Sequence, residues 1–156
     1  MRVILTHESA DFDAVASQLG AWKLDRNAIP VLPQRFNHNI AAFLAAHGDE
    51  LPFRRRSQLP RRIVEHATVV DSQGVVHVRG MKTNTAIRLI DHHPLHRPLP
   101  DGVTFEGDIT GACATLFVER LADAAIEVTP VEATLLLLGI YEDTGALTYG
   151  QTTARD

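Results

Sequence analysis

The stretch 86-AIRLIDHH-93 joins a strand signal to a cluster of polar side chains. Its first part, 86–91, is a short run rich in Ile and Leu, as is typical of a buried strand. Pro94 and Pro98 prevent a simple continuation of that strand, because proline has no backbone N–H for a central ladder. We therefore predict a strand that ends in an aspartate and two histidines.

Strand-like and helical runs alternate along the rest of the chain. Strands are predicted for 2–6, 28–33, 67–71 and 86–91, with further strand-like runs at 75–78 and at the sheet edge, 103–108. Apolar residues at helical spacing predict helices over 13–24, 40–47, 113–124 and 130–143. This alternation predicts an α/β domain, a three-layer α/β/α arrangement around a mostly parallel, Rossmann-like central sheet.

The segments that would begin the helices carry capping residues. Asp11 or Asp13 could cap the first helix and Asn37 the second. Thr129 followed by Pro130 is a strong start signal for the last helix. The intervening segment 50–62 has two prolines and five arginines, so we predict a surface connection with at most a short strand.

Composition limits the class of protein. The chain has 156 residues, 45% of them apolar, and a formal net charge of −4, which fits one globular domain. Without a global basic field, a polyanion has to be held locally or through cations. The only cysteine, Cys113, cannot form an intrachain disulfide, which fits a reducing, cytoplasmic setting. No apolar run approaches the roughly 20 residues of a membrane span, so we expect no membrane partner.

Acidic and imidazole side chains follow the predicted strand and helix ends. In an open α/β sheet, ligands gather outside the carboxyl ends of the strands, so we expect distant segments to deliver these side chains to one rim. The residues concerned are His7, Asp11, Asp13, Asp71, Asp91, His92, His93 and Asp143.

Five aspartates packed together are costly without cations, because like charges raise each other's pKa. Two divalent ions would relieve that repulsion, activate a water and hold a phosphoryl oxygen. Carboxylates and imidazoles without thiolates suit manganese, magnesium, cobalt or iron better than a structural zinc. Each piece alone has another interpretation: Asp11 and Asp13 as helix caps, Asp71 as the start of a turn, and His92 with His93 as an exposed loop.

Taken in chain order, 7-HESADFD-13, Asp71, 91-DHH-93 and Asp143 resemble the four motifs of the DHH phosphoesterase superfamily. That superfamily includes RecJ-type exonucleases, oligoribonucleases, cyclic-dinucleotide phosphodiesterases and family II inorganic pyrophosphatases. The stretches 29–44 and 134–153 resemble more narrowly the N-terminal DHH module of large bacterial chains. Those chains continue into a DHH-associated domain, CBS domains and a poly(A) polymerase/tRNA nucleotidyltransferase-like part.

The resemblance implies two divalent metal ions, manganese first and magnesium or cobalt as alternatives. The implied ligands are His7, Asp11, Asp13, Asp71, His92 and Asp143. His7 and Asp11 are implied for the first ion, Asp71 bridges the two ions, and the remaining three side chains hold the second.

Catalytic roles are implied for Asp71 and for two neighbours of the ligands. His93 would contact the scissile phosphate, and Asp91 would orient a histidine rather than bind metal. Segment 110-TGACAT-115 could hold a phosphate on the backbone N–H groups of a helix start, or it is an ordinary helix start. The residues expected near the substrate are Thr110, Gly111, Thr115, Thr144 and Gly145.

The function implied is a manganese-dependent phosphoesterase that hydrolyses phosphodiester bonds of short RNA or nucleotides. One alternative is a metal-dependent module that binds RNA, a tRNA end or a nucleotide within a tRNA nucleotidyltransferase chain, without turnover of its own. Another is a pyrophosphatase. The resemblance also implies that residues 1–156 are an N-terminal catalytic domain, a fragment without its C-terminal substrate domain and weakly active or inactive alone.

Basic and histidine side chains outside the motifs carry weaker signals. The arginines of the middle segment could follow an RNA backbone, but a solvated charged face is the favoured interpretation. They are Arg54, Arg55, Arg56, Arg61 and Arg62. Five further histidines have no partner at useful spacing and are taken as structural or exposed: His38, His47, His66, His77 and His96.

Overall fold

The structure, a computed structural model, describes residues 1–95 and 97–156, so the interpretation of His96 lies outside the described residues. The strands are β1 (Arg2–Leu5), β2 (Ser9–Ala10), β3 (Ala28–Pro30), β4 (Arg35–Phe36), β5 (His66–Val70), β6 (Ala86–Asp91) and β7 (Val103–Gly107). The α-helices are α1 (Phe12–Leu24), α2 (His38–His47), α3 (Cys113–Asp123) and α4 (Pro130–Thr144).

The central sheet has the strand order β3-β1-β5-β6-β7. Every neighbouring pair in it is parallel. The α/β fold class with a mostly parallel central sheet is therefore confirmed. Because β1, β5 and β6 are neighbours, their carboxyl ends meet at the middle of one rim, and the segments that follow these strands start side by side.

The two faces of the sheet are covered differently. On one face, Ile4, Val70 and Ile90 pack against α1 and α3. On the other face, Val3 and Leu89 pack against irregular chain from 59–64 and 75–81. The outer layer on that side is thus made largely of loops and a short 3-10 turn at Arg56–Gln58.

The strand predicted at 75–78 is wrong, because these residues form no ladder and Val78 is instead buried as part of the loop layer. The opposite error concerns β2 and β4, two-residue strands that pair in parallel and were not predicted. Both segments are too short for their pattern to be read, and tertiary contacts decide their state.

Helix starts follow the capping signals closely. Asp11 caps α1, its Oδ1 accepting from the N–H of Ala14 at 2.9 Å. Asn37 caps α2 in the same way, by accepting from Ile40. Thr129 forms a reciprocal capping box at the start of α4. These predictions are confirmed, with Asp11 rather than Asp13 as the cap of α1. Within residues 1–95 and 97–156, no helix is both long and apolar enough to cross a bilayer.

The contact between α1 and α4 requires a glycine at position 139. A Cβ at Gly139 would lie 2.7 Å from the Cβ of Ala16 and 3.1 Å from the Cα of Asp13. Glu142, one turn later, accepts a hydrogen bond from the backbone N–H of Phe12 at the start of α1. The end of α4 is therefore held against the start of α1, and both helix ends carry predicted site residues.

We expect Gly139→Ala to destabilise the fold although alanine is the better helix former. Overpacking costs about 1–3 kcal/mol, which exceeds the propensity gain of roughly 0.5–1 kcal/mol. Urea unfolding measures the net loss, about 1–2 kcal/mol. Gly48→Ala is the matched control, since a Cβ there would meet nothing within 4 Å. Equal effects of the two substitutions would contradict this account of the α1–α4 contact.

Candidate metal centre

The residue after β5, Asp71, lies at the centre of the rim. Its φ of 51° is in the left-handed region, which aspartate tolerates better than most residues. Its backbone N–H donates to the carbonyl of Ile90 at 2.9 Å, so the strand pairing with β6 continues up to this residue. The side chain is thereby held between the segments that follow β1 and β6.

The predicted ligands converge in two groups of three around this aspartate. In each group the ligand atoms lie within 4.8 Å of one another: His7, Asp11 and Asp71 in one, Asp13, His92 and Asp143 in the other. The Oδ2 of Asp71 lies 3.4 Å from the Nε2 of His7, and its Oδ1 lies 3.8 Å from the Nε2 of His92. Asp71 therefore belongs to the first group, with Oδ2 near His7, and its Oδ1 lies toward His92 of the second.

His92 has the tautomer and the environment of a metal ligand. Its Nδ1 donates to the carbonyl of Thr110 at 2.9 Å, so Nε2 is left as the acceptor nitrogen. The side chain is only 6% exposed, and among the described residues Nε2 has no hydrogen-bond partner. Buried polar atoms are rarely left unpaired. An acceptor nitrogen 3.5 Å from a carboxylate oxygen of Asp143 fits a cation placed between them.

Asp13 links the centre to the core. Asp13 is completely buried (0% exposed). Its two carboxylate oxygens accept hydrogen bonds from the backbone N–H groups of Cys113 at 2.7 Å and Ala114 at 2.6 Å. These N–H groups belong to the first turn of α3, where donors lack intrahelical partners and the helix dipole is positive. Asp13 thus fastens α1 to α3 while it faces the other carboxylates of the centre.

Burial and mutual repulsion act on three carboxyl groups of the centre. Desolvation raises the pKa of Asp13 well above 3.8, and the charges of Asp71 and Asp143 add to the shift. Burial likewise raises the pKa of Asp71, with the neighbouring Asp11, Asp143 and Asp91 adding to it. The pKa of Asp143 is raised chiefly by burial. Such a cluster disfavours its own charges and is relieved by divalent cations, so the donor set fits two of them.

His93 belongs to neither group of three and is oriented by Asp91. It lies beside them, since ligand atoms of Asp71, Asp91, His92 and His93 are also within 4.8 Å of one another. The Nδ1 of His93 donates to the Oδ1 of Asp91 at 3.0 Å, while 56% of its side chain stays exposed. The other oxygen of Asp91 accepts from the Nε2 of Gln73 at 3.0 Å. Gln73 also donates to the backbone carbonyls of His93 and Pro94. Both oxygens of Asp91 are engaged, which fits the predicted orienting role, and the Nε2 of His93 points away from Asp91.

A cleft of about 580 Å³ opens beside the centre. Its lining includes His92, His93 and Asp143, and the segment 150–153 after α4 forms a further part of its wall. The amide of Gln151 donates to the carbonyl of Asp143 at 3.1 Å, which ties this segment to the centre. The cleft is within the size range of small-molecule sites, roughly 300–1,000 Å³.

The carboxylate of Asp156 accepts hydrogen bonds from donors in segment 110–115, which was predicted to bind phosphate. It accepts from the N–H of Gly111, at 2.9 and 3.0 Å, and from the hydroxyl of Thr115 at 2.6 Å. The N–H and hydroxyl of Thr153 complete the arrangement. This carboxylate thereby anchors the wall of the cleft, and a substrate role for Gly111 and Thr115 stays a prediction.

The other three predicted substrate contacts have structural partners. Thr110 donates through its hydroxyl to Ala112 and accepts from His92 through its carbonyl. Thr144 is buried and donates back to the carbonyl of Ile140. Gly145 ends α4 with a φ of 57°. Only Thr110 lines the cleft, so it is the best placed of the three for a ligand.

Four supporting residues were not found from the sequence: Gln73, Glu142, Gln151 and Asp156. Gln73 stands in a turn-like Ser-Gln-Gly, and the other three are polar residues without regular spacing. Apart from Thr153 beside Asp156, their partners lie from 8 to 130 positions away in the chain, beyond the reach of a capping or turn pattern, so no local pattern marks these residues. Asp11, by contrast, is both a helix cap and a member of a metal group, so its two interpretations were not exclusive.

No protein-family model matches the chain. An A-adding tRNA nucleotidyltransferase of Geobacter sulfurreducens is 34% identical over 166 residues, which cover 100% of this chain and 18% of that protein. The same enzyme of Aquifex aeolicus is 33% identical over 99% of this chain and again 18% of its own length. The chain therefore spans less than a fifth of the length of these relatives.

Two further matches extend beyond the nucleotidyltransferases. The bifunctional oligoribonuclease and PAP phosphatase NrnA of Mycoplasma genitalium is 37% identical over 70 residues, 45% of this chain and 22% of that protein. A Methanococcus jannaschii protein, described as a family II inorganic pyrophosphatase, superposes with a TM-score of 0.75 over 99% of this chain and 52% of its own, at 23% identity. With the ordered motifs and the shared fold, the chain belongs to the DHH phosphoesterase superfamily. By sequence, two A-adding tRNA nucleotidyltransferases match this chain over 99–100% of its length.

We expect Asp71→Asn to stabilise the metal-free protein and to weaken manganese binding. Asparagine tolerates the left-handed backbone and removes a buried charge that repels its neighbours. The free energy of unfolding in EDTA should rise by about 1 kcal/mol. Calorimetric titration with Mn²⁺ should show a loss of affinity. Asp101→Asn, an exposed loop position with the same charge change, is the control and should alter neither quantity.

The metal-free protein should lose stability as pH rises above about 4. A carboxyl group with a raised folded pKa stabilises the fold fully below its unfolded value, and this contribution is lost as pH rises through the folded value. Asp13, Asp71 and Asp143 all have pKa values raised above 3.8. Urea unfolding in EDTA between pH 4 and 8 should therefore show a shallower decline for Asp71→Asn than for the wild type. Parallel curves would contradict the assigned repulsion.

Proposed function

We propose that this chain is the catalytic domain of a phosphoesterase that uses two divalent cations, manganese first, to hydrolyse phosphodiester bonds in short RNA or nucleotides. One observation carries the proposal: Asp71 belongs to one three-residue group, and its Oδ1 lies toward a second, which contains the unpaired, buried Nε2 of His92. Two bound cations would supply an activated water and charge neutralisation at the phosphoryl group.

The side chains around the centre have separable tasks in this proposal. His7, Asp11, Asp13, Asp71, His92 and Asp143 hold the cations. His93, whose partly exposed side chain lines the cleft, hydrogen-bonds a phosphoryl oxygen or passes a proton to the leaving group. Asp91 keeps the ring of His93 in one orientation through the bond to Nδ1. Gln73 holds the backbone after His93, which limits the movement of the whole segment.

The substrate is proposed from the cleft and from the relatives. The volume of about 580 Å³ suits one or two nucleotides. An oligoribonuclease is among the relatives by sequence, and tRNA nucleotidyltransferases are matched along the whole chain. The chain covers only 18% of the length of the Geobacter nucleotidyltransferase. This supports the proposal that the chain is one domain of a longer protein whose other parts complete the substrate site. A reducing, cytoplasmic setting stays part of the proposal.

A binding module without turnover is the second candidate, favoured by the nucleotidyltransferase relatives. In that case the metal centre would hold the phosphates of an RNA end or nucleotide, and hydrolysis would be absent. A pyrophosphatase is a third, supported by likeness of fold alone.

We expect the 156-residue chain with Mn²⁺ to hydrolyse a diribonucleotide, and His93→Ala to lower kcat by about 10²-fold or more. Manganese affinity should change little, because His93 lies outside the two ligand groups. Steady-state kinetics and calorimetric titration measure the two effects separately. His77→Ala, an exposed histidine of the loop layer, serves as the control.

The same assay separates the candidates. A panel of diribonucleotide, p-nitrophenyl phosphodiester, cyclic dinucleotide and pyrophosphate should show preference for a diester, with loss of turnover in Asp71→Asn. Preference for pyrophosphate would favour the third candidate. Metal-dependent binding of the diribonucleotide without any turnover, also in a chain extended beyond residue 156, would refute the proposed hydrolysis and favour the binding module.

A further inference from the structure

Four basic side chains line a shallow depression of about 500 Å³ at the opposite end of the sheet from the metal centre. We call Arg61, Arg62, Arg79 and Lys82 the basic patch. All four are exposed, and the rest of the lining is Ile63 and Gly80. No acidic residue lines this depression, so its surface carries one sign of charge.

The charge of the basic patch is not compensated by ion pairs. Across the described ranges 1–95 and 97–156, none of its four cations lies within ion-pair distance of a carboxylate. Other arginines do: Arg56 pairs with Glu8, and Arg88 pairs with Glu106. Glu65, close to the patch in sequence, is engaged by the N-terminal ammonium group at 2.9 Å. A chain of net charge −4 thus maintains a local positive field here.

The fold holds the two segments of the basic patch in a fixed relation. The N–H of Val64 donates to the carbonyl of Gly80 at 2.9 Å. Gly80 has a φ of 100°, and a Cβ there would lie 2.3 Å from the carbonyl oxygen of Arg62. Arg79 donates to the carbonyl of Leu59 at 3.2 Å, which ties its guanidinium to the first segment. This close approach brings the four cations together although they are up to 21 positions apart in the chain.

The distance between the basic patch and the metal centre sets the length of a ligand that reaches both. Val64 lies just before β5, and Asp71 lies just after it. The seven steps from Val64 to Asp71 span about 23 Å at roughly 3.3 Å per residue in a parallel strand. Nucleotides advance about 3.4 Å each along a helical strand. A helical chain of about seven nucleotides or more is therefore needed, and a dinucleotide in the cleft cannot touch the patch.

We propose that the basic patch binds the phosphate backbone of an RNA and holds it at the end of the sheet opposite the metal centre. Guanidinium groups suit phosphate because they donate in a planar fork, and three of the four cations are arginines. A bilayer is a poorer fit, since the lining offers Ile63 alone as an apolar side chain for insertion. That the polyanion is RNA rests on the proposed function.

The test compares two variants that each remove two positive charges. Arg61→Gln/Arg62→Gln alters the basic patch, and Arg26→Gln/Arg88→Gln removes exposed arginines on other surfaces. Both are made in the Asp71→Asn background and measured in EDTA, so that neither turnover nor metal contributes. Fluorescence anisotropy with a labelled RNA hairpin of about 20 nucleotides gives Kd over a series of salt concentrations.

The patch variant should bind this RNA about tenfold or more weakly, whereas the control variant should bind like its parent. The negative slope of log K against log salt should become shallower by about 1.4, which is 0.7 for each of two lost contacts to a single strand. The change should be larger if the stem is contacted. Arg61→Gln/Lys82→Gln, which joins the two segments of the patch, should reproduce the loss. In the protein that retains Asp71, assayed with Mn²⁺, the patch substitutions should leave diribonucleotide turnover unchanged.

Equal losses in the patch and control variants would overturn the proposal, because net charge alone would then explain binding. Binding to phosphatidylserine-containing vesicles or to a polyglutamate peptide with no binding to the RNA would also overturn it. Since affinity is measured without metal, absence of turnover in the earlier assay would sink the proposed hydrolysis and leave this result standing.

Discussion

The desolvated carboxylate of Asp13 is the constraint on which the rest of the molecule depends. It is completely buried among other carboxylates, and it is held there by two backbone N–H groups at the start of α3. A buried, unpaired charge would be costly. The N–H groups at a helix start stabilise a negative side chain both by hydrogen bonds and through the helix dipole. One side chain therefore joins α1 to α3 and also belongs to the candidate metal centre.

The remaining parts of the fold bring charges to the same point and restrain them. Gly139 lets α4 approach α1, so that Asp143 stands opposite Asp13 and His92. Thr110 orients His92 through its carbonyl, and Gln73 holds Asp91 and the backbone that follows it. Without cations, this arrangement carries repulsion that the packing has to overcome. The centre is thus a place where stability is lower than the fold could reach, as is common where function sets the geometry.

Much of the architecture could be read from short-range patterns. The run 86–91, the Thr129–Pro130 start and the Asn37 cap each have a local physical cause, and each was predicted. The loop layer over the second face was not predicted, because 75–78 looks like a strand by composition. It forms no ladder and buries only Val78. The basic patch needed the structure as well: the arginines of 54–62 were interpreted as a solvated face, and Arg79 and Lys82 had no visible relation to them.

Residue order alone indicated the fold class, the caps of α2 and α4, and the set of side chains that could share a rim. Strand ends in a parallel sheet point the same way. Which oxygen of Asp71 faces which histidine was decided by packing, as were the tautomer of His92 and the wall of the cleft anchored by Asp156. The physical reason is the range of the interactions. Caps and strand patterns depend on neighbours within a few residues, whereas these contacts join residues 18 to 64 positions apart and form only once the core is packed.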